Sequence, residues 1–310
     1  MNPQSNAVSE SFFQSQGIAP AVLSATRPLY WSVRRELWEN RSIYLAPIGV
    51  AALFLFGFLM STIHLAARMR AALALDPMQQ RELIEKPYDI AGLMIMGTTF
   101  VVAVFYCLDA LHGERRDRSV MFWKSLPVSD LTTVLSKASI PLVVIPLLTF
   151  AIIVVLQGMM LLLSTAVLLG SGVSAATLWT QVPFFQMSMM LLYHLVAIHS
   201  LWYAPVFAWL LLVSSWARRA AILWAALPLL AIGFFEKIAF NTSHFAALLG
   251  YRLSGGPTGA GIQRGSMAME TPTTLVVGHF LISPGLWLGL AVATAFLAAA
   301  VRLRRYRGPI

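Results

Sequence analysis

The residues of this chain whose types could do chemistry inside an apolar setting are few: Asp109, His194, His199 and Glu236, with Cys107 as the one cysteine. Imidazoles could ligate a metal or relay a proton, and carboxylates could hold a cation or exchange a proton. Their spacing restricts both roles. On an ideal helix His194 and His199 lie about 140° apart, so they do not share one metal, and each is expected to hydrogen-bond a neighbouring helix. Glu236 and Lys237 are adjacent and point apart, with partial solvation expected. Asp109 lies close to Arg115 and Arg116, which makes a hinge ion pair its functional reading. A single cysteine excludes an intramolecular disulfide and a cysteine-cluster metal site, and Cys107 is expected as a small buried packing residue. There is no H-E-x-x-H and no G-x-S-x-G. None of the four lysines, Lys86, Lys124, Lys137 and Lys237, follows a glycine, so no G-x-x-x-x-G-K-[ST] phosphate loop exists. These residues assign no catalytic group, cofactor site or metal site to the chain.

The elements that must position these groups are set by composition. Of 310 residues, 58% are apolar and 11% charged, with a mean hydropathy of +0.73, which places the chain in a bilayer. A spanning helix needs roughly 20 mainly apolar residues. Six stretches meet that length: about 44–65, 90–111, 140–169, 184–215, 220–240 and 281–301. The fold class expected is therefore an all-α integral membrane protein with a six-span domain over 44–301. A polar tail (1–23) and an interfacial helix (24–43) precede it, and a basic tail (302–310) follows. The third and fourth stretches exceed the spanning length, so they are tilted or continue as helix beyond the membrane; Pro141 and Pro146 mark the start of the third as a place to bend.

An even number of spans puts both termini on one side, and the cations choose which. Fifteen of the 22 fall in the N-terminal region, the second loop, the fourth loop and the tail; seven fall in the loops between. By the positive-inside tendency both termini are cytoplasmic, and the protein is expected to be a multi-pass inner-membrane protein. The net charge of +9 then describes topology and attraction to anionic lipid, with no nucleic-acid partner implied. Residues 1–23 lack the charged start and apolar core of a cleavable signal peptide, so the first span is expected to act as an uncleaved anchor.

Two cytoplasmic segments have amphipathic patterns of their own. In LYWSVRRELWENR (29–41), Tyr30, Trp31, Val33, Leu37 and Trp38 occupy about 160° of a helix circumference, and Ser32, Arg35, Glu36, Glu39 and Asn40 occupy the rest. This helix is expected to lie flat on the inner membrane surface, with the stems of Arg34 and Arg41 snorkelling to phosphates. The second segment, 112–139, reads HGERRDRSVMFWKSLPVSDLTTVLSKAS between two highly apolar stretches. Its cations Arg115, Arg116, Arg118, Lys124 and Lys137 accompany an apolar group, Met121, Phe122 and Trp123. Pro127 interrupts the apolar run, and Ser129 can cap a helix beginning at Asp130.

This loop resembles the first cytoplasmic loop of the permeases of type 2 ABC exporters. In that family a glutamate-bearing segment after the second span leads to a short coupling helix, then to a Pro-Val-Ser-like turn and a lysine ahead of the third span. The matching residues are Glu114, Pro127, Val128, Ser129 and Lys137; where many members carry glycine or threonine shortly after the glutamate, this chain has Arg118 and Ser119. The resemblance extends to the flat N-terminal helix, the six spans, and a last span with Pro284, Trp287 and a basic RLRRYRG tail. It implies a coupling helix within about 118–126 and an ATPase-contacting loop formed by Glu114, Arg115, Arg116, Arg118, Phe122, Trp123 and Pro127. It further implies a second permease subunit, identical or similar, and a separate cytoplasmic ATPase that carries the ATP and magnesium; this chain would hold no cofactor.

Residues 253–256 spell LSGG, the opening of the ABC ATPase signature, but Pro257 follows and the segment falls in the last outer loop, so the match is coincidental. That loop, 241–280, is long for a connection and holds apolar patches at 245–251 and 275–280, which fit either short helices re-entering the outer leaflet or a surface loop with buried corners. Two functional classes therefore stand. One is the permease subunit of an ATP-driven exporter. The other is a membrane-embedded enzyme or stand-alone channel using His194, His199, Asp109 or Glu236, while a non-transporting membrane scaffold shares every feature of the first but a substrate path.

Overall fold

The computed structural model describes residues 26–117, 129–255 and 280–306, and among them every regular element is a helix. Six helical runs are long and apolar enough to cross a membrane: Ser42–Ala72, Pro77–Arg116, Asp130–Gly170, Ala176–Trp202, Ala221–Phe240 and Pro284–Tyr306. Large apolar side chains such as Leu53, Phe105, Leu162, Leu230 and Phe234 point outward, an arrangement that water penalises and lipid favours.

Helix α1 (Thr26–Glu39) is followed by α2 (Ser42–Ser61), which passes through a single 3₁₀ turn into α3 (Leu65–Ala72). Helix α4 (Pro77–Ala110) starts with Pro77 in its first turn, where a missing N–H costs nothing. Thirteen residues ahead of the expected start of the second span are thus helical, and the connection after the first span is mostly helix. The reason is local: Asp76 is extended and its carbonyl accepts from Gln80, and nothing between 78 and 86 breaks a helix.

The short α5 (His112–Arg116) ends the run. Helix α6 (Asp130–Ser139) is capped by Ser129, whose Oγ accepts from the Thr132 N–H at 3.1 Å. A π-turn at Ile140–Val144, which contains Pro141 and is followed by Pro146, joins it to α7 (Ile145–Gly170). The third stretch is thus preceded by ten further helical residues, and the run Asp130–Gly170 is 41 residues long.

After α8 (Ala176–Gln181), helix α9 (Phe184–His194), a π-helical stretch (Leu195–Trp202) and α10 (Ala204–Trp216) make the fourth stretch. Helix α11 (Ala221–Phe240) is bounded by two residues in the left-handed region, Ala220 (φ 47°) and Asn241 (φ 51°). It leads to α12 (His244–Leu253), and α13 (Pro284–Tyr306) ends the described chain. Helix α13 packs along α10, which also packs on α4, while α2, α4 and α7 form the other side of the bundle.

Two apolar clusters stack along the bundle. At the α1 end Ile43, Tyr106, Cys107, Ile140, Phe207 and Leu211 are buried together; Cys107 is a fully buried free thiol. At the α3 end Phe58, Met69, Tyr88, Ile153 and Met160 do the same. Polar contacts hold α4 to α7 within the second cluster: Gln157 Nε2 donates to the Tyr88 carbonyl at 3.2 Å, and the Tyr88 and Ser164 hydroxyls are 3.4 Å apart.

Candidate functional site: a buried ion network around the 112–139 loop

Glu36, Lys137, Glu114 and Arg304 are each less than 10% exposed, although they come from α1, α6, α5 and α13. The Lys137 ammonium is 2.7 Å from Glu36 Oε1 and 3.1 Å from Glu114 Oε1. The Arg304 guanidinium reaches Glu114 Oε2 at 3.0 Å and Asp130 Oδ1 at 3.2 Å. Arg35 adds a contact to Glu114 Oε1 at 3.2 Å, and the Tyr106 hydroxyl donates to Glu36 Oε2 at 2.9 Å. Three carboxylates thus face three cations. Burying such groups costs several kcal/mol per ion unless each is paired and hydrogen-bonded, and here each is paired.

The local sequence explains how they meet. Val134, Lys137 and Ala138 share the buried face of α6, and Val134 packs with Leu111 and Ala300, which brings the last turn of α13 alongside. In α1 the apolar arc is split. Val33 and Leu37 pack against the bundle while Tyr30, Trp31 and Trp38 face outward. The polar arc turns Glu36 inward to Lys137, and Arg34 sits over both Trp31 and Trp38, about 5 Å from each ring.

The start of the loop is held as firmly. The backbone N–H groups of Leu111 and His112 donate to Ser214 Oγ at 3.0 and 2.8 Å. Arg115 donates to the Ser215 and Ala217 carbonyls at 2.9 and 3.3 Å, satisfying acceptors at the end of α10 with a cation. Glu114 and Arg115, singled out in the sequence, therefore lie inside this network. Arg116 does not: it is exposed and pairs with Asp117 at 3.1 Å. Arg118, Phe122, Trp123 and Pro127 lie outside the described residues, as does the expected coupling helix.

The intramembrane candidates come out differently from expectation. Asp109 makes no contact ion pair with Arg115 or Arg116, although its charge acts on Arg116 at longer range; it is exposed, with its carboxylate beside Gly113, while Arg115 is drawn to α10 and Arg116 to Asp117. The two histidines do not each bond a neighbouring helix. The π-helical stretch closes over five residues per hydrogen bond, so His199 returns towards His194 and their ring centroids are 5.8 Å apart. His199 packs edge-on to Phe100 and Tyr203, and its Nδ1 is buried without a hydrogen-bond partner. No group of three His, Cys, Asp or Glu capable of holding a metal occurs among the described residues.

Glu236 is a capping group. Its Oε1 accepts from the Thr242 hydroxyl and the His244 N–H, and its Oε2 from the Phe245 N–H, all at 2.7–2.8 Å. It thereby fixes where α12 begins. Helix α12 folds back on the bundle. Trp202 Nε1 donates to the Arg252 carbonyl at 2.9 Å, the Tyr203 hydroxyl to the Leu253 carbonyl at 2.9 Å, and Arg252 to the Gly285 carbonyl at 2.9 Å. The guanidinium carbon lies 4.2 Å from the Trp202 ring centroid. A Cβ on Gly289 would overlap that guanidinium. Gly289→Ala is therefore expected to expel Arg252 from its stack at a cost of about 1–2 kcal/mol, of which helix propensity returns up to about 1 kcal/mol, so that it unfolds at a lower temperature than Gly97→Ala in mild detergent. Gly97→Ala, in a helix interior with open space at its Cβ, should instead stabilise by up to about 1 kcal/mol.

Comparison with protein-family models, with curated proteins and with solved structures finds no match to this chain. The sequence did not single out Glu36, Tyr106, Asp130 or Arg304 as site residues. The available signal was Lys137, a cation three residues ahead of the proline-marked apolar run, which needs buried partners.

Proposed function

We propose that this chain is the permease subunit of an ATP-driven ABC exporter. It works with a second permease subunit, identical or similar, and is driven by cytoplasmic ATPase subunits docked on the 112–139 loop. The observation that carries this reading is the ion network. Glu114 and Lys137 stand at the two ends of the loop, and Lys137 joins them through one ammonium while Arg304 ties the same carboxylate to α13. A loop braced at both ends moves only with α4, α7 and α13. A load applied to it by a soluble partner is then transmitted to the spans.

The remaining parts fit this role. The 118–126 segment supplies the coupling helix, with Phe122 and Trp123 seated in a cleft of the partner. Helix α1 lies in the inner headgroup region with Tyr30, Trp31 and Trp38 among lipid, and its Glu36 ties it to the same network. Both termini are cytoplasmic in this reading, in the cell inner membrane, and ATP with its magnesium binds the partner. The alternative, an enzyme or channel built on the intramembrane polar groups, gains no convergent site from them: Glu236 caps a helix, Asp109 is exposed, and the two histidines stand among aromatic rings.

The test is purification of the tagged chain from its native membranes in mild detergent. An ATPase subunit of ordinary domain size, about 25–35 kDa, should accompany it in near-equal amount. Recovery of the chain alone as a stable, active species would overturn the proposal in favour of the enzyme or channel.

A further inference from the structure

At the end of the bundle away from the ion network, α2, α3 and α4, with Ser164 of α7 and Leu178 of α8, line a half-open cavity of about 850 Å³. Each helix turns one face to it. From α2 come Val50 and Gly57, eleven and four residues before Ser61 at the helix end, all on its wall. From Val50 to Ser61 the helix rises about 16 Å, close to half of the roughly 30 Å hydrocarbon thickness. The cavity is thus about one leaflet deep.

Its wall is almost wholly apolar. The hydroxyls of Tyr88 and Ser164, which reach it from α4 and α7, are 3.4 Å apart and satisfy each other. The charged residues on the described lining are Arg68 and Lys86, one from α3 and one from α4. Both are exposed, and neither has an ion-pair partner among the described residues. Three carboxylates on the same helix lie within four residues of Lys86: Glu85 is taken by Arg81 at 2.9 Å, and neither Glu82 nor Asp89 forms an ion pair with Lys86. No carboxylate lines the cavity among the described residues.

We propose that this cavity is a binding site for one anionic phospholipid drawn from the adjoining leaflet. An acyl chain lies along α2 past Gly57, and the phosphate is held by Arg68 and Lys86. An apolar space one leaflet deep, opening beside two unpaired cations, matches a long apolar tail joined to a negative head. A soluble ligand would leave the apolar wall unused, and a zwitterionic lipid would bring its own cation beside Arg68 and Lys86 and offset the attraction of its phosphate. The site stands apart from the transport reading and does not depend on it.

Gly57 makes the test clean, because a Cβ built there meets no atom within 4 Å. Gly57→Leu would put a branched apolar side chain into the tail path from a Cβ that meets no atom, and Gly49→Leu, on the same helix with an equally open Cβ, lies off the cavity. The experiment is native mass spectrometry of the purified full chain released from bilayers holding equal phosphatidylglycerol and phosphatidylcholine. The wild type and Gly49→Leu should retain one phosphatidylglycerol, preferred about tenfold over phosphatidylcholine. Gly57→Leu should lose it. Arg68→Gln with Lys86→Gln, both surface changes that leave packing intact, should keep lipid but lose the preference. Equal retention by Gly57→Leu and Gly49→Leu would overturn the site. Equal retention of the two lipids by the wild type, or an unchanged preference in the double charge variant, would overturn the anionic occupant.

Discussion

Lys137→Met is expected to lower the stability of the purified protein by about 3–5 kcal/mol, the cost of breaking a buried ion pair from one side. Lys137 is 2% exposed, and its ammonium is shared by two carboxylates at 2.7 and 3.1 Å. Without it the two acids fare differently. Glu114 keeps Arg304 and Arg35 at 3.0 and 3.2 Å, whereas Glu36 is left with the Tyr106 hydroxyl and a longer approach from Arg35 at 3.5 Å. Most of the penalty should therefore reside on Glu36, and adding Glu36→Gln should recover more than half of it. Arg116→Met supplies the contrast, since both members of the Arg116–Asp117 pair are more than 60% exposed and such pairs contribute about 0–1 kcal/mol. Thermal unfolding in one mild detergent checks all three. A Lys137→Met protein as stable as wild type, or a double variant no better than the single, would show that the network does not hold these helices together.

The network also shows where sequence reasoning stops. The period of apolar residues and the loop charges disclose six long helices, because in lipid each span must satisfy its own backbone and so carries its signal within about 20 residues. Charge pairs that join residues 36, 114, 137 and 304 carry no such local signal. Glu36 belongs to a polar arc that would suit water equally well, and only the packing of Val33 and Leu37 on the bundle decides that the arc faces protein. The histidines fail for a different reason. An angular separation of about 140° holds only at 3.6 residues per turn, and the π-helical stretch at Leu195–Trp202 changes the period just where the two rings lie. Glu236 was legible as polar in an apolar helix, but its role depends on the chain reversing at Asn241, whose left-handed conformation brings the N-terminus of α12 back onto the carboxylate.

If the loop is the docking element, Phe122→Asp with Trp123→Asp should abolish co-purification of the ATPase while leaving the permease folded. Two buried aromatic anchors contribute about 2 kcal/mol each at a protein interface, so their joint replacement by carboxylates should weaken binding about a thousandfold or more. The unfolding temperature discriminates docking from bracing. Residues that only dock leave it in place, whereas Lys137→Met lowers it by removing a buried cation at the loop's end. Glu114→Gln completes the separation: it removes the negative charge opposite Lys137, Arg304 and Arg35, yet leaves the aromatic pair untouched. It should still bind the ATPase, with reduced stability and reduced ATP-driven transport per ATP hydrolysed. Retention of the ATPase by the double aspartate variant would assign Phe122 and Trp123 to the lipid headgroups. The ion network would then be a brace between helices, with no part in passing force from a partner.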